Sequence, residues 1–361
     1  MAQNNKIQKR GGEMNFVILI TVFMILIFVP FIPGILELLF PIDDKAMSVR
    51  MDYSKDPSYF GKSFRRIMVS SISKGEFKEG QNQIKLSSVP ESILVIRGDF
   101  KHGGENFESI MVVLGDLISK YNNSFNKEIY VKGNAFFGGG SVIRAAAVDK
   151  NAELKEQTKI IRWLDVKGCI TAGEESHLGV SVSCGEKFQL SKGCRFRRLF
   201  GNPILTPVNA RSINYGSLKN GKNIGEPSII SYSDKIINGN IKYEEPVIIN
   251  GNLIINGNLE IKNEFTINGD IKANGKVIID TAENVTINGN VVSESVISMK
   301  GNIKAVGDIF SQDEVYLEGI NIGSFNNFKS VIAKKKLTLG KSVEIYGFVS
   351  TEGIGIVEGE Q

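Results

Sequence analysis

The sequence predicts an all-β fold: a triangular parallel β-helix, or β-solenoid, of about 18 residues per coil in two parts, preceded by one transmembrane helix. Three observations lead to this prediction. A six-residue repeat of paired apolar residues fills the C-terminal third of the 361-residue chain. Glycines recur at short intervals through the middle region, and one long apolar segment lies near the N-terminus.

The first predicted element is a membrane anchor over residues 14–40, which follows a basic tail over residues 1–13. Residues 16–36 are apolar apart from Thr21, Gly34 and two prolines, which matches the roughly 20 residues that cross a bilayer as a helix. A cleavable signal peptide has a shorter apolar run and an A-x-A-like cleavage site, and a buried core helix is rarely apolar on every face. The anchor residues are Phe16, Val17, Ile18, Leu19, Ile20, Phe23, Ile25, Leu26, Ile27 and Phe28.

Residues 41–87 are predicted to form a basic juxtamembrane linker. Its segment 45–78 has eight Lys and Arg residues against three acidic ones. Basic residues lie on both sides of the anchor, so the positive-inside rule leaves its orientation open. A basic stretch is attracted to an anionic cytoplasmic leaflet, which favours a single-pass cell-membrane protein with its solenoids in the cytoplasm. The alternative is that these charges only solvate the linker.

The C-terminal solenoid is predicted over residues 229–361 from two apolar columns that advance by six residues. One column runs Val247, Leu253, Leu259, Phe265, Ile271 and Val277, and the other runs Ile249, Ile255, Ile261, Ile267, Ala273 and Ile279. This is the period-2 pattern of a short strand with one buried face. Asn-Gly corners separate the strands, and both residues tolerate left-handed φ. Three hexads close one coil, so residues i and i+18 are expected to pair.

The middle region, residues 88–206, is predicted to be a second, irregular solenoid. Short apolar runs there end at Gly-Asp or Gly-Asn corners, as in Met111–Leu114 followed by Gly115-Asp116. A helix over residues 106–121 is the competing local interpretation, and the corner favours strands. Residues 207–228, rich in Asn, Ser, Gly and Lys, are predicted to link the two solenoids.

The corner-and-strand pattern of residues 238–350 resembles the bactofilins, or polymer-forming cytoskeletal proteins, and the chain is identified as a membrane-anchored, two-solenoid variant of that family. The stretches 56–66, 128–134, 163–168 and 178–183 resemble the extra domain of larger members. The resemblance implies a bacterial, cytoplasmic scaffold that self-assembles end to end without a nucleotide. An added solenoid that blocks one stacking end would put polymerisation through both ends in question.

Composition argues against several other classes of protein. Residues 228–361 hold 12 lysines and 17 acidic residues, and the chain as a whole is only at +4, so no nucleic-acid partner is expected. The three cysteines form neither a disulfide framework nor a Cys/His cluster, and no metal or cofactor is predicted. There are two histidines, which disfavours most His-based catalysis.

The chain is not expected to be an enzyme. A hexapeptide-type acyltransferase needs a catalytic histidine, and His177, beside Glu174 and Glu175, fits a surface turn better. Clustered carboxylates, as in β-helical polysaccharide lyases, are not evident. The basic run of Lys192, Arg195, Arg197 and Arg198 has two interpretations: a site for phosphate, anionic lipid or an acidic partner, or a solvated face.

The last coil carries no evident cap, and an uncapped strand edge pairs readily with another chain. Val343, Ile345, Phe348 and Val349 are therefore the candidates for self-association. The predicted function is a membrane-tethered structural scaffold that binds membrane lipid, itself and envelope or polysaccharide-synthesis proteins. The alternative is a non-catalytic extracytoplasmic solenoid that binds glycan or protein.

Overall fold

The computed structural model describes residues 18–32, 56–72, 83–87, 92–104, 106–208, 229–231 and 233–359. The chain divides into two compact units, residues 1–51 and residues 52–361. The helices and strands are numbered below in chain order.

The first unit contains α1, helical over residues 18–28 and followed by the 3₁₀ turn Val29–Phe31. Its side chains are exposed, including most of the predicted anchor residues, from Ile18 to Phe28. Phe16 and Val17 lie outside the described residues. Among the residues that are described, no helix combines the length and the apolar character needed to cross a membrane.

The second unit is a parallel β-solenoid of about 13 turns with about 18 residues per coil. One helix, α2 (Tyr59–Ile72), precedes the strands. The strands before the predicted linker are β1 (Gln83–Ser87), β2 (Ser92–Ile96), β3 (Phe100–His102), β4 (Asn106–Phe107), β5 (Ile110–Val113), β6 (Leu117–Ser119), β7 (Ser124–Val131), β8 (Ala135–Phe137), β9 (Val142–Val148), β10 (Ala152–Leu154), β11 (Lys159–Val166), β12 (Ile170–Ala172), β13 (His177–Leu178), β14 (Ser181–Cys184), β15 (Phe188–Leu190) and β16 (Arg195–Leu205). The competing helix over residues 106–121 is not formed, since β4, β5 and β6 lie there.

A second series of strands follows the predicted linker. They are β17 (Ile229–Ser231), β18 (Lys235–Asn238), β19 (Ile241–Tyr243), β20 (Val247–Ile249), β21 (Leu253–Asn256), β22 (Leu259–Ile261), β23 (Phe265–Ile267), β24 (Ile271–Ala273), β25 (Val277–Ile287), β26 (Val291–Ser293), β27 (Ile297–Ala305), β28 (Ile309–Ser311), β29 (Glu314–Ile322), β30 (Lys329–Ala333), β31 (Lys336–Leu339) and β32 (Glu344–Val357). We call β2–β16 the first solenoid and β17–β32 the second.

Successive coils pair in parallel, and the predicted 18-residue register is confirmed. Leu253 pairs with Ile271, and Val247 pairs with Phe265. Each coil contributes three strands, one to each face, because β17, β18 and β19 pair with β20, β21 and β22. The two apolar columns of the hexad are buried, while the residues between them are partly exposed, as Thr266 is, or exposed, as Lys272 is. Alternation along each short strand therefore fills the interior.

Side-chain amides form ladders along the corners of the second solenoid. The amide of Asn268 donates to Asn250 Oδ1 at 2.6 Å, and the amide of Asn288 donates to Asn268 Oδ1 at 2.7 Å. A second column uses side-chain oxygens to accept backbone N–H groups, as when Asp270 N–H donates to Asn252 Oδ1 at 2.9 Å. The Asn-Gly corners thus do more than permit a bend, because their side chains join one coil to the next.

The two solenoids meet through their last coils. Strand β16 pairs antiparallel with β32, from Arg195 opposite Ile356 to Leu205 opposite Glu344. One hydrophobic core continues across this junction from the first solenoid into the second. The last coil of the second solenoid, expected to be open, is therefore covered by the same chain, and its strand β32 continues to Val357. Pairing of two last coils leaves each solenoid's first coil at a far end of the rod.

A helix packs on the first solenoid where the sequence suggested only a linker. Helix α2 places Met68 against Val95, Val112 and Ala147, which point outward from the solenoid wall. Phe64 meets Trp163 edge to face, with ring centroids 5.7 Å apart. Residues 41–87 are thus not a simple linker, because part of the segment is helical and covers an apolar face.

Candidate functional site

The basic residues singled out in the sequence lie where the two solenoids join. Arg195, Arg197 and Arg198 belong to β16 and are exposed, while the buried Phe196 and Leu199 face the core. Lys192 lies in the preceding corner beside Gly359, near the end of the second solenoid. Because β16 is the strand that pairs with β32, three of the four predicted cations lie on the junction strand itself.

The structure adds two residues that the sequence analysis had not placed with them. Lys159 pairs with His177, and His177 pairs with Arg195, on successive coils of the first solenoid. All three side chains are exposed. Neighbouring parallel strands lie about 4.8 Å apart, so the three cationic or titratable groups form one ladder up the wall. We call Lys159, His177 and Arg195 the basic ladder.

Beside the basic ladder, irregularities in several coils fall at one corner and open a groove. The strand register shifts between Ile160 and Trp163 in β11, and again between Phe196 and Arg198 where β16 meets β32. Gly179, with φ of +62°, separates β13 from β14 at the same corner. Bulges redirect side chains and interrupt the ladder of backbone hydrogen bonds. The resulting groove has a volume of about 360 Å³ and is lined by residues from both solenoids.

The groove has a cationic side and an apolar side. The basic ladder and Arg197 supply the charge. Ile161, Val180 and Ile354 supply apolar surface and are 47%, 49% and 59% exposed. An arrangement of this kind suits a ligand that carries a negative charge on an apolar body.

The cations of the groove differ from others on the same solenoid. Arg144 and Arg162 approach Glu128 at 3.3 and 3.8 Å, and Lys167 approaches Asp149 at 3.1 Å. No carboxylate among the described residues lies within ion-pair distance of Lys159, Arg195, Arg197 or Arg198. The groove thus brings together three cations, Lys159, Arg195 and Arg197, that no carboxylate of the described residues pairs with.

The charge of the groove acts on His177. Partial burial lowers the pKa of its imidazole, and the positive charges of Arg195 and Lys159 lower it further, while Glu175 opposes them. The neutral imidazole therefore persists to lower pH than in an isolated histidine. Among the charged neighbours of the imidazole, Arg195 and Lys159 affect its pKa more strongly than Glu175 does.

The predicted self-association residues lie inside the junction. Val343, Ile345 and Val349 are buried in the common core. Val349 lies opposite Leu199, and Phe348 lies opposite Phe200. Their strand edge is occupied within the chain, so a second copy would have to displace β16 to reach it.

A buried arginine fixes helix α2 to the first solenoid. Arg65 is 8% exposed. Its Nε donates to Asp149 at 2.7 Å, and its Nη atoms donate to Asp165 and, at 2.8 Å, to the carbonyl of Val148. Ser183 also donates to Asp165, at 2.5 Å. A buried cation surrounded by acceptors on two neighbouring strands sets the position of the helix on the wall.

A cavity of about 510 Å³ also lies near the junction. It is lined by Thr206, Pro207 and Val208 at the start of the predicted linker, and by Gly301, Gly319 and Ser342 of the second solenoid. Within the described ranges, no group of three His, Cys, Asp or Glu side chains is placed to hold a metal ion.

Comparison of the chain with protein-family models, with curated proteins and with solved structures gave no match.

Proposed function

We propose that the chain is a membrane-tethered structural scaffold whose working part is a rigid rod. The observation that carries the proposal is the antiparallel pairing of β16 with β32, which joins two solenoids through one continuous core. About 13 turns at roughly 4.8 Å each give a rod on the order of 60 Å long. A solenoid presents long, regular walls, which suits the alignment of partners.

The tether is the apolar segment 14–40 of the sequence. Support comes from its 21-residue apolar stretch, residues 16–36, and from the exposed apolar side chains of α1 and the turn after it. Further along the chain, α2 is clamped to the first solenoid by Arg65.

In this proposal the scaffold is not an enzyme, and its partners are membrane lipid, further copies of itself and envelope or polysaccharide-synthesis proteins. Self-association would use the first coil of the second solenoid rather than the last. Strands β17, β18 and β19 are paired on one side, with β20, β21 and β22, and the described residues place no strand on their other side. Such edges favour pairing with another chain.

Two measurements on the full-length chain test the proposal. The first is alkaline carbonate extraction of cell membranes, with a variant lacking residues 14–40 as the control. The proposal expects the full-length chain to stay in the pellet and the deletion variant to be released. The second is electron microscopy of the detergent-purified full-length chain, where rods of about 60 Å or end-to-end multiples are expected. Release of the full-length chain, or compact particles without rods, would contradict the proposal.

The side of the membrane decides between the scaffold and an extracytoplasmic glycan- or protein-binding solenoid. Tyr121 is 63% exposed on the first solenoid, which makes a Tyr121→Cys variant, with Cys169→Ser, a suitable reporter. A membrane-impermeant maleimide should leave this cysteine unlabelled in intact cells and label it after lysis if the rod is cytoplasmic. Labelling in intact cells would favour the extracytoplasmic alternative.

A further inference from the structure

The groove at the junction combines a cationic surface with an exposed apolar surface. In the basic ladder Lys159 and Arg195 are the two cations, and each lies one rung from His177. Partial burial and these two charges disfavour the imidazolium of His177. An anion bound across the three rungs would be attracted by both cations and would favour protonation of His177.

The groove gathers uncompensated cations on adjacent strands, whereas isolated lysines without an ion pair, such as Lys150, lie singly elsewhere on the first solenoid. Elsewhere on the first solenoid, Lys155 meets Glu153 at 2.5 Å, and Arg144 meets Glu128 at 3.3 Å. The groove residues have no such carboxylate among the described residues, although Glu175 is near enough to act on His177. Some cations outside the groove are thus paired with carboxylates, while Lys159, Arg195 and Arg197, which line it, are not.

The apolar side of the groove narrows the chemistry of the ligand. Ile161 and Val180 come from the first solenoid and Ile354 from the second, and each exposes about half of its side chain. Inorganic phosphate alone would leave these side chains in water. A ligand with an apolar part beside its charge would cover these side chains and remove their apolar surface from water.

We infer that the groove binds a phosphate-bearing amphiphile, with the phosphate on the basic ladder and Arg197 and the apolar part against Ile161, Val180 and Ile354. The lining comes from both solenoids, so the site exists only when the junction is closed. The phosphate could come from a membrane phospholipid or from a soluble phosphate ester. This inference goes beyond the scaffold role and does not depend on it.

The test uses the full-length chain purified in a neutral maltoside detergent. Binding of phosphatidylglycerol, phosphatidylcholine, glycerol phosphate and inorganic phosphate is measured by native mass spectrometry and by titration. The variants are Arg195→Gln in the groove and Lys150→Gln, an exposed corner lysine outside the groove lining, as the control for loss of one charge. Arg197→Gln, also exposed, replaces the first variant if Arg195→Gln does not fold.

Phosphatidylglycerol is expected to bind more tightly than phosphatidylcholine. Arg195→Gln is expected to lower the affinity for phosphatidylglycerol about tenfold, since the substitution removes a charge-assisted contact. Lys150→Gln should change the affinity for phosphatidylglycerol less than twofold. Ile354→Ser should lower the affinity for phosphatidylglycerol and leave the affinity for inorganic phosphate unchanged. If Arg195→Gln lowers the affinity for phosphatidylglycerol alone, the ligand is a membrane lipid. If the substitution lowers the affinity for glycerol phosphate equally, the ligand is a soluble phosphate ester. Absence of binding to every phosphate probe, or equal losses in Arg195→Gln and Lys150→Gln, would overturn the inference.

Discussion

Phe200 of the first solenoid and Phe348 of the second lie directly opposite each other across the antiparallel junction, with ring centroids 4.8 Å apart. Phe328 meets Phe200 edge to face at 5.6 Å. The three rings lie on one wall of the rod, where the core of one solenoid passes into the other. The chain therefore covers internally the last coil of each solenoid, which as free ends would expose strand edges to other molecules.

The geometry of the junction predicts that two cysteines introduced across it will form a disulfide within one chain. Arg198 lies opposite Ser350 in the antiparallel pairing, and directly opposed residues have Cα atoms about 4.5–5.5 Å apart, which suits a disulfide. In a Cys169→Ser background, the pair Arg198→Cys and Ser350→Cys should oxidise within one chain and give a faster-migrating monomer on a non-reducing gel. The Arg198→Cys single variant is the control. Disulfide-linked dimers in place of the monomer would mean that the last coils pair between two copies.

The hexad could be found from sequence because every coil needs apolar residues at the same inward-facing positions. Positions such as Val247 and Ile249 point inward on every turn, so selection for a filled interior leaves a period in the sequence. The junction leaves no such period. Leu199 and Val349 are apolar core residues like their neighbours, and nothing in the sequence indicates that they meet across 150 positions.

Two other features had signals that the sequence analysis did not use. The runs Ile93–Ile96, Met111–Leu114 and Ala145–Val148 are apolar at every position, which indicates strands covered on both faces, and helix α2 provides that cover. The residues of the basic ladder repeat with the period of the coil, since Lys159, His177 and Arg195 are each separated by one coil. The run from Lys192 to Arg198 was found because its members are close in sequence.

Loss of the Arg65 clamp should release helix α2. Arg65→Gln leaves the carboxylate of Asp165, a nearly buried side chain, without its cation, and breaking a buried pair costs about 3–5 kcal/mol of unfolding free energy. We expect a lower melting temperature and faster amide hydrogen exchange in α2. Arg66→Gln is the matched control, because Arg66 is the neighbouring exposed arginine. Unchanged exchange in α2 would show that apolar packing alone holds the helix.

The corner ladders should contribute measurably to the second solenoid. Asn268 donates to Asn250 and accepts from Asn288, so Asn268→Ala removes two side-chain hydrogen bonds. At solvent-exposed corners these bonds should together be worth about 1 kcal/mol, measured by chemical denaturation. Asn326→Ala, at an exposed turn residue, is the control and should have no effect beyond a few tenths of that. Equal changes in unfolding free energy for Asn268→Ala and Asn326→Ala would show that the ladders do not stabilise the second solenoid.

The three cysteines should differ in reactivity. Burial is the main cause that raises the pKa of Cys184 to about 12 and that of Cys194 to about 11. Cys169 is partly exposed, with its thiol 3.3 Å from Glu186, and its pKa is raised to a smaller degree by burial and by that hydrogen bond. Iodoacetamide at pH 8 should therefore modify Cys169 first and slowly, because the thiolate is the nucleophile. Mass spectrometry of the folded chain checks the order, and rapid modification of Cys184 would contradict the buried position of β14.

Binding in the groove should strengthen as pH falls. His177 faces Arg195 and Lys159 on neighbouring strands, with Glu175 close by, and in the free protein its pKa lies below 6.5 because burial and the two cations disfavour the imidazolium. A bound phosphodiester adds a negative charge beside the ring and raises that pKa, so binding takes up a proton between the two values. Phosphatidylglycerol, whose phosphodiester does not titrate in this range, should bind more tightly at pH 5.5 than at pH 8. His177→Gln should bind equally at both values, and a pH dependence that survives in His177→Gln would assign it to another group.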